Sequence, residues 1–348
     1  MTQGLTTSAV PGLDTDALTG WLADTHPDLA DRALTATVIT GGRSNLTYAV
    51  AGARIPLILR RPPLGHVLSS AHDMRREHRV IAALGATAVP VPVAIDIVDD
   101  TGGHITGTPF FLMERAPGRV LSRRTQNADY TAAGLRALSF DLITTLADLH
   151  AVAPASIGLA DFGRPDGYLA RQLKTWRRQL DASRSRATPL LDRLQERLGE
   201  GMPESGRSAI VHGDYRVDNA LVDGPEPRVT AILDWEMATL GDPLVDLGMF
   251  ALYWEIGRLP ADFAGVVPSP VDPAAGYPEF DELAAAYAQH ADVAVPDLAW
   301  YRAFAAYKLA VILEGIHFRY QAGDTVGDGF EAMGALVEPL AQQGLEER

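Results

Sequence analysis

His212 to Asn219 reads HGDYRVDN, and a short way on Ile232 to Glu236 reads ILDWE. A His, two Asp, an Arg and an Asn packed into one short run are costly to bury without partners. Such a cluster is either a solvated polar turn or a holder of something charged. The spacing favours a holder. An Asp on a loop, an Asn five positions on and an Asp some fifteen further suit metal-assisted phosphoryl transfer. That chemistry needs a carboxylate to orient an acceptor hydroxyl and take its proton. It also needs oxygen ligands for magnesium, which prefers carboxylate, amide oxygen, phosphate and water. Asp214, Asn219 and Asp234 supply those groups. Strands predicted at Ala220–Val222 and Thr230–Leu233, on either side of Pro225, form a hairpin that brings Asn219 and Asp234 close.

Working outward, 348 residues with 47% hydrophobic and 21% charged content are ample for a large core in one domain or two lobes. The chain has no cysteine, which excludes disulfides, thiolate nucleophiles and Cys-ligated zinc. A net charge of −14 disfavours a nucleic-acid partner, which calls for a basic face. No apolar run approaches the roughly 18 residues of a membrane span. The N-terminus lacks a basic stretch followed by an apolar block, so the expected location is the cytoplasm, with no membrane partner.

Periodicity places helices at Asp14–Leu29 and Ser69–Leu84, the second capped by Ser69 or Ser70, with strands at Leu34–Thr40, Asn45–Val50, Ile55–Arg60, Val91–Val98 and Pro109–Glu114. Ala116-Pro117-Gly118 breaks the last strand. Beyond it helices dominate: Leu135–His150, Gly167–Leu180, Leu190–Leu198, Leu244–Trp254, Phe280–His290, Asp297–Tyr320 and Phe330–Gln342. The order gives an α+β, two-lobed plan, with a small sheet-bearing N-lobe at 1–114 and a larger, mostly helical C-lobe at 115–348. Between the first two strands lies ITGGRSNLTY. Its Gly41 and Gly42 permit close backbone approach to a phosphate, and Ser44 can donate to one, although Gly-Gly in a hairpin is also an ordinary turn.

HGDYRVDN with ILDWEMATLGDPLVDLG closely resembles the aminoglycoside phosphotransferase family, kinase-like enzymes that act on small molecules. LRRPP, SAHDMRREHRV and LGDP resemble most the branch associated with acyl-CoA dehydrogenases. The resemblance runs from Val38 to about Tyr320 and implies a protein-kinase-like fold with ATP and Mg2+ as cofactors. It implies Asp214 as the catalytic Asp, Asn219 and Asp234 as metal ligands, and Arg216 as a neutraliser of charge on the transferring group. A salt bridge from Arg216 to Asp218 is the plainer alternative. His212 is expected to bond backbone, Asp246 to brace the loop through backbone N–H groups, and Asp242 to cap the following helix.

Where kinases carry a Lys to hold α- and β-phosphates this chain has Arg60, with Glu77 as the matching acid. Arg carries the same charge and clamps phosphate bidentately, but it is bulkier. FFLMERAPG resembles the segment that holds adenine, with Glu114 and Ala116 offering main-chain groups. The implied function is ATP- and Mg-dependent phosphorylation of a hydroxyl on a small molecule. A metabolite, such as a hydroxyacyl compound or its CoA thioester, is expected rather than an aminoglycoside, because Lys308, His317, Arg319 and Glu314 do not make the late helix acidic. The alternative is a non-catalytic nucleotide-binding pseudokinase module. Oligomeric state is not legible.

Overall fold

The computed structural model describes residues 10–39, 45–64, 73–258, 267–323 and 330–347. By contact the chain divides into two compact units, Met1–Pro117 and Gly118–Arg348. The fold is the expected two-lobed α+β, kinase-like one.

The first unit is built on a five-stranded antiparallel sheet of order β1-β2-β3-β5-β4. Its strands are β1 (Thr35–Val38), β2 (Leu46–Ala51), β3 (Leu57–Arg61), β4 (Ala94–Val98) and β5 (Phe110–Glu114). Helix α1 (Thr15–Thr25) starts at Asp14, whose carboxylate accepts from the Asp16 and Ala17 amides. It stops short of the expected Leu29 because Pro27 disfavours helical backbone before it. Leu18 and Leu22 of α1 pack with Tyr48, Leu57, Leu59, Phe110 and Leu112 to form this unit's core.

Helix α2 (Met74–Leu84) buries Met74, Glu77, Val80, Ile81 and Leu84, one face at helical spacing. Asp73 caps it by accepting from the Arg76 amide, while Ser69 and Ser70 lie outside the described residues. An acid on that buried face calls for a cation, and central strand β3 supplies Arg60. Because side chains alternate along a strand, Arg61 points to the other face. There its guanidinium donates to the Gly12 and Thr106 carbonyls, tying the turn before α1 and a loop to the sheet.

In the second unit, helices α3 (Ala132–Ala151), α4 (Tyr168–Ser183), α5 (Pro189–Glu200), α6 (Leu244–Glu255), α7 (Phe280–Ala291), α8 (Ala299–Gln321) and α9 (Val337–Glu346) supply most of the regular secondary structure. Helix α8 is buried nearly all round between Tyr301 and Gly315 and is the hub of an apolar cluster drawn from α4, α5, α6 and α9. The predicted final helix is divided. A 3-10 turn at Met333–Leu336 precedes α9, and it contains Gly334, where a Cβ would collide with the His317 ring.

Two small antiparallel sheets complete the unit. Strands β6 (Arg119–Val120), β8 (Ala220–Asp223) and β9 (Arg228–Ile232) form one, and β7 (Ala209–Val211) with β10 (Thr239–Gly241) forms the other. β6, β7 and β10 were not expected from sequence, since two or three residues carry no readable alternation.

Candidate active site

The HGDYRVDN loop leaves the end of β7 and runs into β8. Its backbone is held from below by α6. Asp246, fully buried, accepts the His212 amide at 2.6 Å and the Gly213 amide at 2.8 Å. His212 in turn accepts the Asp214 amide on Nδ1 and donates from Nε2 to the Leu233 carbonyl, 2.9 Å away. One ring therefore links the loop to the chain just before Asp234, and both expectations, for His212 and for Asp246, match these bonds. Gly213 has φ +85, and a Cβ there would meet the Met237 carbonyl at 2.8 Å, so the turn needs glycine.

Asp242 serves the start of α6, as expected, and has a second partner. Pro243 already has helical backbone angles, and the Asp242 carboxylate accepts the Leu244 amide as a cap would while also taking the Tyr301 hydroxyl.

The hairpin forms as the sequence suggests. Ala220 pairs with Ile232, and the Leu233 amide donates to the Asn219 carbonyl at 2.8 Å, placing residues 219 and 233–234 side by side. Asn219 Nδ2 donates to both the backbone carbonyl and the carboxylate of Asp214, at 2.8 and 3.0 Å. Both partners only accept, which fixes the amide's orientation and leaves Oδ1 facing away from Asp214. Asp234 has φ 65 and ψ 58, a left-handed backbone that Asp tolerates better than bulkier residues.

Charge is concentrated here. Arg216 lies 2.8 Å from Asp218 and 3.8 Å from Asp214, and its guanidinium sits over the Tyr253 ring of α6, 4.7 Å from the centroid. The Asp218 bridge is the plainer alternative anticipated from sequence. Burial opposes the Arg216 charge, yet Tyr253, Asp214 and Asp218 hold its pKa above the ordinary value. Asp218 is pushed above the usual carboxylate range by burial, with Arg216 opposing and Asp214 and Asp234 adding to the rise. So three carboxylates and one guanidinium share one field, and such a site attracts a further cation. The Asp214 side chain is 26% exposed and reachable.

Beneath this layer runs a buried relay. His150 of α3 meets Asp246 through Nε2 at 3.3 Å and Tyr287 of α7 through Nδ1 at 2.8 Å. Burial lowers the His150 pKa against the pull of Asp246, so the ring is neutral, donating from Nε2 and accepting the Tyr287 hydroxyl. Burial would raise Asp246, but the hydrogen bonds from His150 and from the Gly213 amide hold it below the usual carboxylate range.

In the first unit, Arg60 Nε stands 3.2 Å from Glu77, whose side chain is 1% exposed. The pairing expected between these two residues is present. Glu114 ends β5 half-buried and Ala116 follows in a loop. The Glu114 amide is used by the Val93 carbonyl, whereas no backbone partner of Ala116 occurs among the described residues. Gly41, Gly42 and Ser44 lie outside the described residues.

A sequence profile for the phosphotransferase enzyme family matches residues 35–304. This chain belongs to that family. Acyl-CoA dehydrogenase family member 11 of Gallus gallus is 31% identical over 325 residues, which cover 90% of this chain and 40% of that protein. Family member 10 of Mus musculus is 33% identical over 310 residues, 86% of this chain and 28% of that protein. The chain thus spans about two fifths or less of these relatives. A Ralstonia eutropha crystal structure assigned by name to the aminoglycoside phosphotransferases superposes with a TM-score of 0.82 at 31% identity, covering 96% of this chain and 98% of that one. Aminoglycoside phosphotransferase APH(4)-Ia, solved with AMP-PNP and hygromycin B, shares the fold at 15% identity and a TM-score of 0.58, over 95% of this chain and 98% of that one.

The sequence reading of this family member missed three participants. Tyr253 and His150 lie within or at the end of predicted helices with no role assigned to them, and Lys308 is read as part of a mixed-charge acceptor face. Lys308 is buried at 4% exposure and donates to the Gly213 carbonyl. Glu314 is likewise internal, held by Arg186 and Ser185. A signal for Lys308 existed: it is the single charge in AFAAYKLAVIL, Ala303 to Leu313, and an isolated cation within an apolar helix is seldom a surface residue.

Proposed function

We propose that this chain transfers the γ-phosphoryl group of ATP, with Mg2+, to a hydroxyl group of a small molecule. The observation that carries the reading is the convergence of Asp214, Asn219 and Asp234 at one end of the β8–β9 hairpin, with Asp214 and Asn219 directly bonded. Asp214, reachable by solvent, takes the acceptor proton. Arg216, next to it, offsets charge on the transferring group. Arg60, steadied by Glu77, serves the α- and β-phosphates, Glu114 and Ala116 offer main-chain groups to adenine, and Gly41, Gly42 and Ser44 cover phosphate.

The donor set suits Mg2+. Asn219 Oδ1 and the Asp234 carboxylate are hard oxygens, and the Asn219 nitrogen is already spent on Asp214. Among the described residues no group of three or more His, Cys, Asp or Glu could hold a metal by itself. Two protein oxygens completed by phosphate and water are what Mg2+ commonly uses. When bound, the ion would neutralise charge on the phosphate oxygens.

For the acceptor we favour a hydroxylated metabolite, a hydroxyacyl compound or its CoA thioester, over an aminoglycoside. Support comes from the names of relatives more than 30% identical over most of this chain, which point to acyl-CoA metabolism. The late helix no longer adds to it, because Lys308 and Glu314 are engaged internally. A screen of hydroxylated metabolites and acyl-CoA compounds, read by ATP-dependent mass gain of one phosphate, tests the proposal. Gain on aminoglycosides alone would overturn the acceptor class. Arg60 in place of Lys favours a second reading, a nucleotide-binding module without turnover. Binding of Mg–ATP with no turnover that Asp214→Ala abolishes would select it.

A further inference from the structure

The peptide joining Gly213 to Asp214 is gripped at both ends by side chains. Its N–H donates to His212 Nδ1 at 3.2 Å, and its carbonyl accepts from the Lys308 ammonium, 95 residues away on α8. The preceding N–H groups are held by Asp246, so the Lys308 bond supplies the remaining constraint on the plane from which Asp214 projects. We infer that Lys308 is a positioning residue, which acts through the Gly213–Asp214 peptide to aim the Asp214 carboxylate.

Lys308 is an expensive way to satisfy one carbonyl. The ammonium is fully buried, pairs with no carboxylate among the described residues, and otherwise faces the Trp176 ring, 5.3 Å from its centroid. Burial lowers its pKa, with Asp214 and Asp246 at longer range pulling it back up. Buried cations of this kind are commonly neutral or costly for stability relative to an apolar side chain of similar shape. Alanines, a tyrosine and leucine surround it on α8, and any apolar residue would suit that packing. What only a cation at this position provides is a strong donor aimed at the Gly213 carbonyl, together with a positive potential near Asp214. Gly213's left-handed backbone turns that carbonyl, so the glycine and the lysine act as one device.

The catalytic consequence rests on the phosphotransfer reading above; the positional one does not. Lys308→Met fills the space of the alkyl stem and removes the donor. We expect Asp214-dependent turnover of Mg–ATP to fall tenfold or more in kcat, KM for Mg–ATP to stay within twofold, and the melting temperature to hold or rise. The chain has no cysteine, so Lys308→Cys introduces the sole thiol. Aminoethylation of that thiol in denaturant, followed by refolding, rebuilds a lysine analogue. It is expected to recover at least half of the kcat of wild-type protein carried through the same cycle. A kcat within twofold of wild type in Lys308→Met overturns the inference. So does joint loss of kcat and melting temperature without recovery in the aminoethylated protein. If the wild type transfers nothing, the phosphotransfer reading fails by itself. Amide exchange then decides: in Lys308→Met the Asp214 amide should exchange at least tenfold faster, with the amides of α9 unchanged. An unchanged or uniform response would refute the positioning role.

Discussion

Asp234 shows how a single residue's chemistry and backbone combine. It was expected as a metal ligand on spacing and resemblance; its left-handed backbone lies beyond what either expresses. Asp234→Ala should remove the Mg-dependence of nucleotide affinity while leaving the fold in place. Isothermal titration with ATP, with and without Mg2+, checks this, and an unchanged Mg-dependent affinity would rule out the assigned role. Asp214→Asn should behave differently. The amide keeps most of the shape but cannot take a proton, so transfer should fall by about 10²–10⁴-fold with Mg–ATP binding retained. Transfer at the normal rate would remove Asp214 as the base.

At the scale of elements, helix α6 carries more of the site than its sequence discloses. It contributes Asp246 beneath the loop and Tyr253 under Arg216. Asp246→Ala strands two backbone N–H groups in the interior and should cost about 3 kcal/mol of unfolding free energy. Urea unfolding measures it, and a loss within experimental error would contradict the bracing role. The same relay predicts a pH dependence. His150, and His78 in the first unit, have pKa values lowered mainly by burial. The unfolded chain therefore takes up these protons first, near pH 6.5. Stability is complete above about pH 6.5 and declines as pH falls toward the folded values. Asp246, held low, adds a second loss of the same sign below about pH 4. A urea midpoint flat between pH 7 and 5 would count against neutral, buried His150.

Elements differed in how far they could be read in advance. Helices α4 and α5 show apolar residues at helical spacing and were placed within a few residues at both ends, and α2 was placed correctly at its C-terminal end. The hairpin of β8 and β9 was legible because Gly and Pro punctuate it. β7 and β10 were not. They exist because the chain on either side of the site loop lies close enough to pair, and three residues hold no pattern. The 3-10 turn that opens the last helix was not legible either; its Gly334 lies against the His317 ring, a contact local periodicity does not report.

For the molecule as a whole, charge is the property the sequence states most directly. With a net charge of −14 and an isoelectric point near 5.0, solubility should be lowest near pH 5, measurable as turbidity. Duplex DNA should not be retarded at about 0.1 M salt; retardation would overturn the expectation, drawn from net charge, of no nucleic-acid partner. Among the described residues no helix is long and apolar enough to cross a membrane.

The sequence by itself determined the α+β class and nominated Asp214, Asn219, Asp234 and the Arg60–Glu77 pair, because those functions need particular residue types at short or familiar spacings. The tertiary structure alone decided that Arg61 ties the Gly12 and Thr106 carbonyls to the sheet. It also showed that Arg216 rests on Tyr253, and that Lys308 and His150 converge beneath the loop. Those facts depend on contacts between residues tens of positions apart. Local periodicity reports which face of an element is buried, but not which side chain it will meet there.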